Sequence, residues 1–159
     1  MKLRTMVLSE QALSGAGRLL TPSGVPAIGP TDDFAYADTA LDLGLGSPCS
    51  SGALLCSPRP KILARMERHL RTRELLVSLE GDAIVCIAPP QEPVDQKLKD
   101  VRAIRVKSGQ AFIMDVGTWH WIPFPEGTTP VRYLVIFRSR TGVEDLYFHD
   151  FAAPYHIEA

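Results

Sequence analysis

Glu67-Arg68-His69 is followed, after four intervening residues, by Glu74 and then by Gly81. A second group consists of Gly109 and the run Gly117-Thr118-Trp119-His120. The chain has only four histidines, and two of them stand in these groups. Two imidazoles with one or two carboxylates make a mixed nitrogen and oxygen shell. Such a shell suits a divalent ion (Zn, Mn, Fe or Ni) and leaves positions open for water or substrate. Neither group contains a cysteine, which disfavours copper(I) and iron–sulfur clusters.

Those side chains need strands to position them. Alternation with period two puts Arg65, Glu67 and His69 on one face. Glu74 lies beyond Arg71-Thr72, where the chain can bend and return a third ligand to the same point. Gly81 closes the following strand in a tight turn that favours a residue without a Cβ. Gly109 and Gly117 bracket another strand, and His120 emerges just after it. A single strand histidine is most often structural, so the metal reading rests on the conjunction of both groups.

The flanking sequence supplies the strands. Ala53–Cys56, 62–70, 74–79, 83–88, 101–106, 111–116, 120–124 and 131–137 are short apolar runs rich in β-branched and aromatic residues. They are separated by turn or loop segments at Pro58 and Pro60, Glu80-Gly81-Asp82, 89–100, Ser108-Gly109 and Pro125-Glu126-Gly127. This pattern predicts an all-β sandwich or barrel. Ahead of it, 6–8 reads as a strand, 9–16 as one or two helical turns, and 21–33 and 44–52 as loops. The chain divides into residues 1–50 packing on the barrel, a 52–138 core and a 139–159 polar tail, all in one domain.

The composition narrows the classes of function. A length of 159 residues suits one domain. A net charge of −1 gives no basis for binding nucleic acid, which needs clustered Lys and Arg. No apolar run approaches the roughly 18 residues of a membrane span, and 6–8 is too short for a signal peptide. Cys49, Cys56 and Cys86 are odd in number and lack metal-knuckle or redox spacing, which points to a reducing compartment, the cytoplasm.

The two groups resemble the motifs of cupins, whose fold is a double-stranded β-helix or jelly-roll barrel. Glu67 stands at the first histidine of the first motif and Lys61 at its opening glycine. Asp115 and Phe124 replace the usual Pro and Asn of the second. A closer resemblance is to ureidoglycolate lyases of the allantoin pathway. Met66-Glu67-Arg68-His69 with Gly81 is similar to their E-R-H stretch, and Val116–His120 is similar to their G-V-W-H. Leu8–Leu13, running to Gly17, is similar to their start. This chain differs in having Glu74 for Gln, Asp115 for a histidine and Trp121-Ile122-Pro123 after His120. Nor does it carry the family's Asn-rich, Arg-containing segment in residues 28–38.

The resemblance implies a metal-dependent carbon–nitrogen lyase that cleaves ureidoglycolate, or a similar small anionic conjugate, to glyoxylate and urea. His69, Glu74 and His120 are then metal ligands, with Glu67 as fourth ligand or as base and Asp115 as the other candidate base. Arg65 is the guanidinium for an anionic substrate, and Trp119 walls the pocket. His149 and His156 receive no role. The resemblance also implies a homodimer. Another metal-dependent cupin enzyme, an isomerase or dioxygenase, and a non-catalytic small-molecule-binding cupin are the alternatives.

Overall fold

The computed structural model describes residues 1–20, 26–28, 36–37, 41–95 and 97–158. The chain begins with β1 (Lys2–Val7), α1 (Glu10–Leu13), β2 (Gly17–Leu19), β3 (Pro26–Ile28) and β4 (Tyr36–Ala37). Eight strands follow: β5 (Cys49–Cys56), β6 (Ile62–Arg68), β7 (Glu74–Glu80), β8 (Ala83–Ala88), β9 (Arg102–Val106), β10 (Ala111–Met114), β11 (Trp119–Pro125) and β12 (Val131–Arg138). Then come α2 (Thr141–Glu144) and β13 (Tyr147–Glu158). Among the described residues no helix is long and apolar enough to cross a membrane.

Strands β5 to β12 divide between two sheets in the order β5-β12-β7-β10 and β6-β11-β8-β9. Consecutive strands mostly change sheet, which is the double Greek-key connectivity of a jelly roll. The all-β expectation is met, and the strand order is that of a cupin-type barrel. Two terminal segments extend it. β2 adds to the first sheet beside β10, and β13 pairs with β6 in the second. β1 lies parallel to both β13 and β9, closing that second sheet on itself.

Closure creates two cores on opposite faces of the second sheet. Val85, Ile87, Ile104, Phe112, Met114 and Tyr133 fill the space between the two sheets. Leu63, Met66, Cys86, Trp119, Phe124 and Ile157 fill the interior of the closed barrel. β8 belongs to both, Ala83, Val85 and Ile87 facing one and Ile84, Cys86 and Ala88 the other. Its unbroken apolar run therefore reflects burial on both faces.

Three readings of the flanks are corrected. Cys49–Gly52 is strand, because β12 pairs along the whole of β5, from Val131 opposite Cys56 to Arg138 opposite Cys49. That ladder overrides the low strand preference of two serines and a glycine. Residues 139–159 are no tail: α2 and β13 lie there, and β13 is a barrel strand. Its alternation is hidden by a register shift between Asp150 and Tyr155, a stretch that holds Pro154. Residues 1–50, expected to pack on the barrel, also supply one of its staves, β1. The loop read over 21–33 and the comparison with the family's segment at 28–38 lie mainly outside the described residues.

Candidate metal centre

β6, β7 and β11 bring the predicted ligands together at one end of the inter-sheet space. His120 sits directly opposite Glu67 in the β11–β6 ladder, which fixes that pair by register alone. His69 follows β6 by one residue, and Glu74 is the first residue of β7. The 70–73 segment between them makes the bend that returns Glu74 to the site. Ligand atoms of Glu67, His69 and His120 all lie within 4.8 Å of one another. Glu74 Oε2 is 2.9 Å from His69 Nε2 and 3.4 Å from His120 Nε2. Glu67 Oε1 lies 3.8 Å from His120 Nε2.

Backbone carbonyls orient both imidazoles. His69 Nδ1 donates to the Asp145 carbonyl at 2.8 Å, and His120 Nδ1 donates to the Thr118 carbonyl at 3.0 Å. A carbonyl can only accept, so each Nδ1 carries a proton and each ring turns its Nε2 to the site. This is the arrangement by which proteins prepare histidine for metal. His120 Nε2 is buried and has no hydrogen-bond partner, since its approach to Glu74 lacks hydrogen-bond alignment. Two aimed imidazole nitrogens, one unpartnered, and two carboxylates fit a divalent cation.

The charges in the metal-free site are tightly coupled. Burial acts to raise the Glu74 carboxyl, but the charge of His120 and the close approach of both imidazoles overcome it and hold the group at about 2. Burial likewise acts to lower His120, and Glu74, then Glu67, outweigh it, raising the imidazole to about 9. The metal-free pair is therefore an ion pair at neutral pH, and a cation must displace the His120 proton.

The site opens on a cavity of about 380 Å³. Glu67, His69, Glu74 and His120 form its polar end, and the rest of the wall is apolar side chain, glycine and Trp121. Glu67 keeps 22% side-chain exposure, while the other three are nearly sealed.

Three predicted residues lie elsewhere. Asp115 is half-exposed at the turn after β10 and pairs with Arg73 at 3.2 Å, outside the cavity wall. Arg65 is exposed and paired with Asp150 through two hydrogen bonds of 2.6 and 3.0 Å. The β6–β13 ladder is regular from Arg65 to Arg68, and Arg65, opposite Asp150, lies over the Phe148 ring at the surface, away from the cavity wall. Trp119 lies in the barrel core, its Nε1 bonded to the Gln91 carbonyl and its ring beneath Arg68. Trp121, two residues on, is the tryptophan that lines the cavity.

Sequence reading also missed Asp145. It is fully buried just after α2, and besides orienting His69 it accepts the Leu70 and Arg71 amides, each at 2.9 Å. No sequence signal marks it. His149, given no role, is buried among Trp119 and Phe151 in the barrel interior.

Residues 49–158 match the family model described as ureidoglycolate lyase. No curated protein matches the chain. Among solved structures the chain is similar to a mutant of Bacillus subtilis oxalate decarboxylase, at 18% identity and a TM-score of 0.43 over 56% of this chain and 21% of that one. It is also similar to the formate complex of Lactobacillus farciminis oxalate decarboxylase, at 16% identity and a TM-score of 0.43 over 56% and 23% of the two chains. The matches thus cover less than a quarter of either decarboxylase chain.

Proposed function

The chain belongs to the ureidoglycolate lyase family, and from this premise we propose that it is a metal-dependent carbon–nitrogen lyase releasing glyoxylate from a small anionic hydroxy-acid conjugate such as ureidoglycolate. The observation that carries this reading is the pair of buried imidazoles, each tied through Nδ1 to a carbonyl and aimed through Nε2 at Glu74, with Glu67 beside His120. A divalent cation held by His69, His120 and Glu74 would supply Lewis-acid polarisation of the substrate hydroxyl and lower its pKa.

Glu67 is assigned the base. It faces the cavity beside His120 and is the most exposed of the four, so it can exchange protons with solvent. Its carboxylate takes the hydroxyl proton as the carbonyl of glyoxylate forms. The carbon–nitrogen bond breaks with its electron pair going to nitrogen. Glu67 then returns the proton to that nitrogen, and urea leaves neutral. The apolar wall holds bulk water away from the reacting atoms.

A homodimer in the cytoplasm belongs to the same proposal. Three free cysteines support a reducing compartment, and the dimer rests on the family likeness. Elemental analysis of the purified protein, with a glyoxylate-release assay before and after chelation, tests the reading. Stoichiometric divalent metal and chelator-sensitive glyoxylate release from ureidoglycolate are expected, both lost in His69→Ala and His120→Ala. No metal, with the same metal affinity in those variants, would overturn it.

A further inference from the structure

Beyond the four acidic and histidine side chains, the cavity wall offers very little to a polar substrate. Leu76, Val85, Met114, Val135, Phe137 and Leu146 make up much of it. Among the described residues that line it there is no Lys, Arg, Asn, Gln, Ser or Thr, and the indole N–H of Trp121 is the one further polar side-chain group. At about 380 Å³ the space is in the range of small-ligand sites.

A carbamoyl group fits such a wall poorly. Its terminal amine brings two N–H donors, and among the described residues the only side-chain oxygens on the wall, those of Glu67 and Glu74, already face the histidines. Donors buried without acceptors cost affinity. An apolar group in the same position loses nothing and gains contact with six apolar side chains.

Ureidoglycolate is N-carbamoyl-2-hydroxyglycine, so its terminal amine can be exchanged for carbon without touching the bond that breaks. We propose that the substrates of this chain are N-acyl-2-hydroxyglycines whose acyl group is alkyl or aryl. The inference rests on the lyase reading above for the bond that breaks and on the cavity wall for the acyl group. The hydroxyl proton leaves as glyoxylate's carbonyl forms, the carbon–nitrogen bond breaks, and the amide nitrogen takes the electron pair and the proton. The products are glyoxylate and a primary amide, with no oxidant or reductant involved.

Two measurements on the metal-loaded protein test it. N-benzoylglycine and N-carbamoylglycine are the two candidate substrates without the reacting hydroxyl, and calorimetric titration compares them independently of turnover. The benzoyl compound is expected to bind at least about tenfold more tightly; equal or reversed affinities overturn the proposal. In the glyoxylate assay, N-benzoyl-2-hydroxyglycine is expected to exceed ureidoglycolate in kcat/KM by a similar factor. A preference for ureidoglycolate overturns the proposal and leaves the lyase reading standing. Release from neither substrate, with benzoylglycine still the tighter ligand, removes the lyase reading and the proposed substrates with it.

Discussion

The Asp145 carbonyl oxygen accepts a 2.8 Å hydrogen bond from Nδ1 of His69, across most of the length of the barrel core in sequence. The same residue's carboxylate holds the two amides that follow His69 in the chain. One buried side chain thus fixes the peptide segment leaving His69, while its own backbone sets the direction of the imidazole.

Removing the carboxylate should loosen both. Asp145→Ala strips two amides of a charged acceptor in a fully buried place, a loss of about 2–4 kcal/mol in stability. Metal affinity should fall by roughly tenfold or more, as it does when outer partners of ligating histidines are lost. Asp145→Asn keeps one acceptor oxygen and should fall between. Thermal melts with chelator and metal titrations read the two effects separately. Unchanged metal affinity in Asp145→Ala would separate the segment's anchor from the ligand's orientation.

The His120–Glu74 pair predicts opposite pH trends for stability and metal binding. His120 is raised from 6.5 to about 9, so its contribution to metal-free stability is full below pH 6.5 and is lost as pH rises through about 9. Glu74 is lowered from 4.5 to about 2, so its contribution is full above pH 4.5 and is lost as pH falls through about 2. Metal affinity should climb over the alkaline window, because the His120 proton no longer has to be displaced. Melting temperatures of chelated and metal-loaded protein should therefore diverge from pH 6.5 towards pH 9. In His120→Ala the alkaline decline of the chelated protein should disappear.

The ligands were legible in sequence because each sits on or beside a strand whose register brings it to the site. His120 opposite Glu67 is a ladder relationship, and Glu74 needs only the 70–73 bend. What was misread depended on departures from regular strand geometry. Arg65 keeps its regular place in β6 but is drawn off by Asp150 of β13, a strand that went unseen because its register shifts between Asp150 and Tyr155. Asp115 has the right chemistry beside the right motif, yet its turn aims it at Arg73. Asp145 was beyond reach, since its contacts join segments far apart in the chain and nothing in its neighbourhood marks it.

Two motif glycines should differ in what alanine costs them. Gly81 and Gly109 both have positive φ, +80° and +83°, where any side chain is strained by about 1–2 kcal/mol. At Gly81 a Cβ would also stand 2.7 Å from Val131 Cγ1, whereas at Gly109 it would meet nothing within 4 Å. Gly81→Ala should therefore be the more destabilising by about 1 kcal/mol or more, the usual cost of overpacking. Denaturant unfolding of the two variants measures the difference. Equal losses would show that Val131 yields freely and that conformation alone selects the glycine.

Glu67 and Asp115 entered as rival bases, and their surroundings separate them. Glu67 lines the cavity 3.8 Å from His120 Nε2, while Asp115 is held by Arg73 outside it. Glu67→Gln keeps the shape and removes the proton acceptor, so kcat should fall by about 10²- to 10⁴-fold, the usual worth of a positioned base. If Glu67 acts as base alone, metal content should hold, because His69, His120 and Glu74 remain. If it is also a ligand, metal affinity falls with it, and restoring saturation with excess metal should not restore kcat. Asp115→Asn breaks only a half-exposed ion pair worth about 0–1 kcal/mol, and kcat should stay within about twofold. A large loss in Asp115→Asn, with Glu67→Gln near wild type, would move the base out of the cavity and take the assigned mechanism with it.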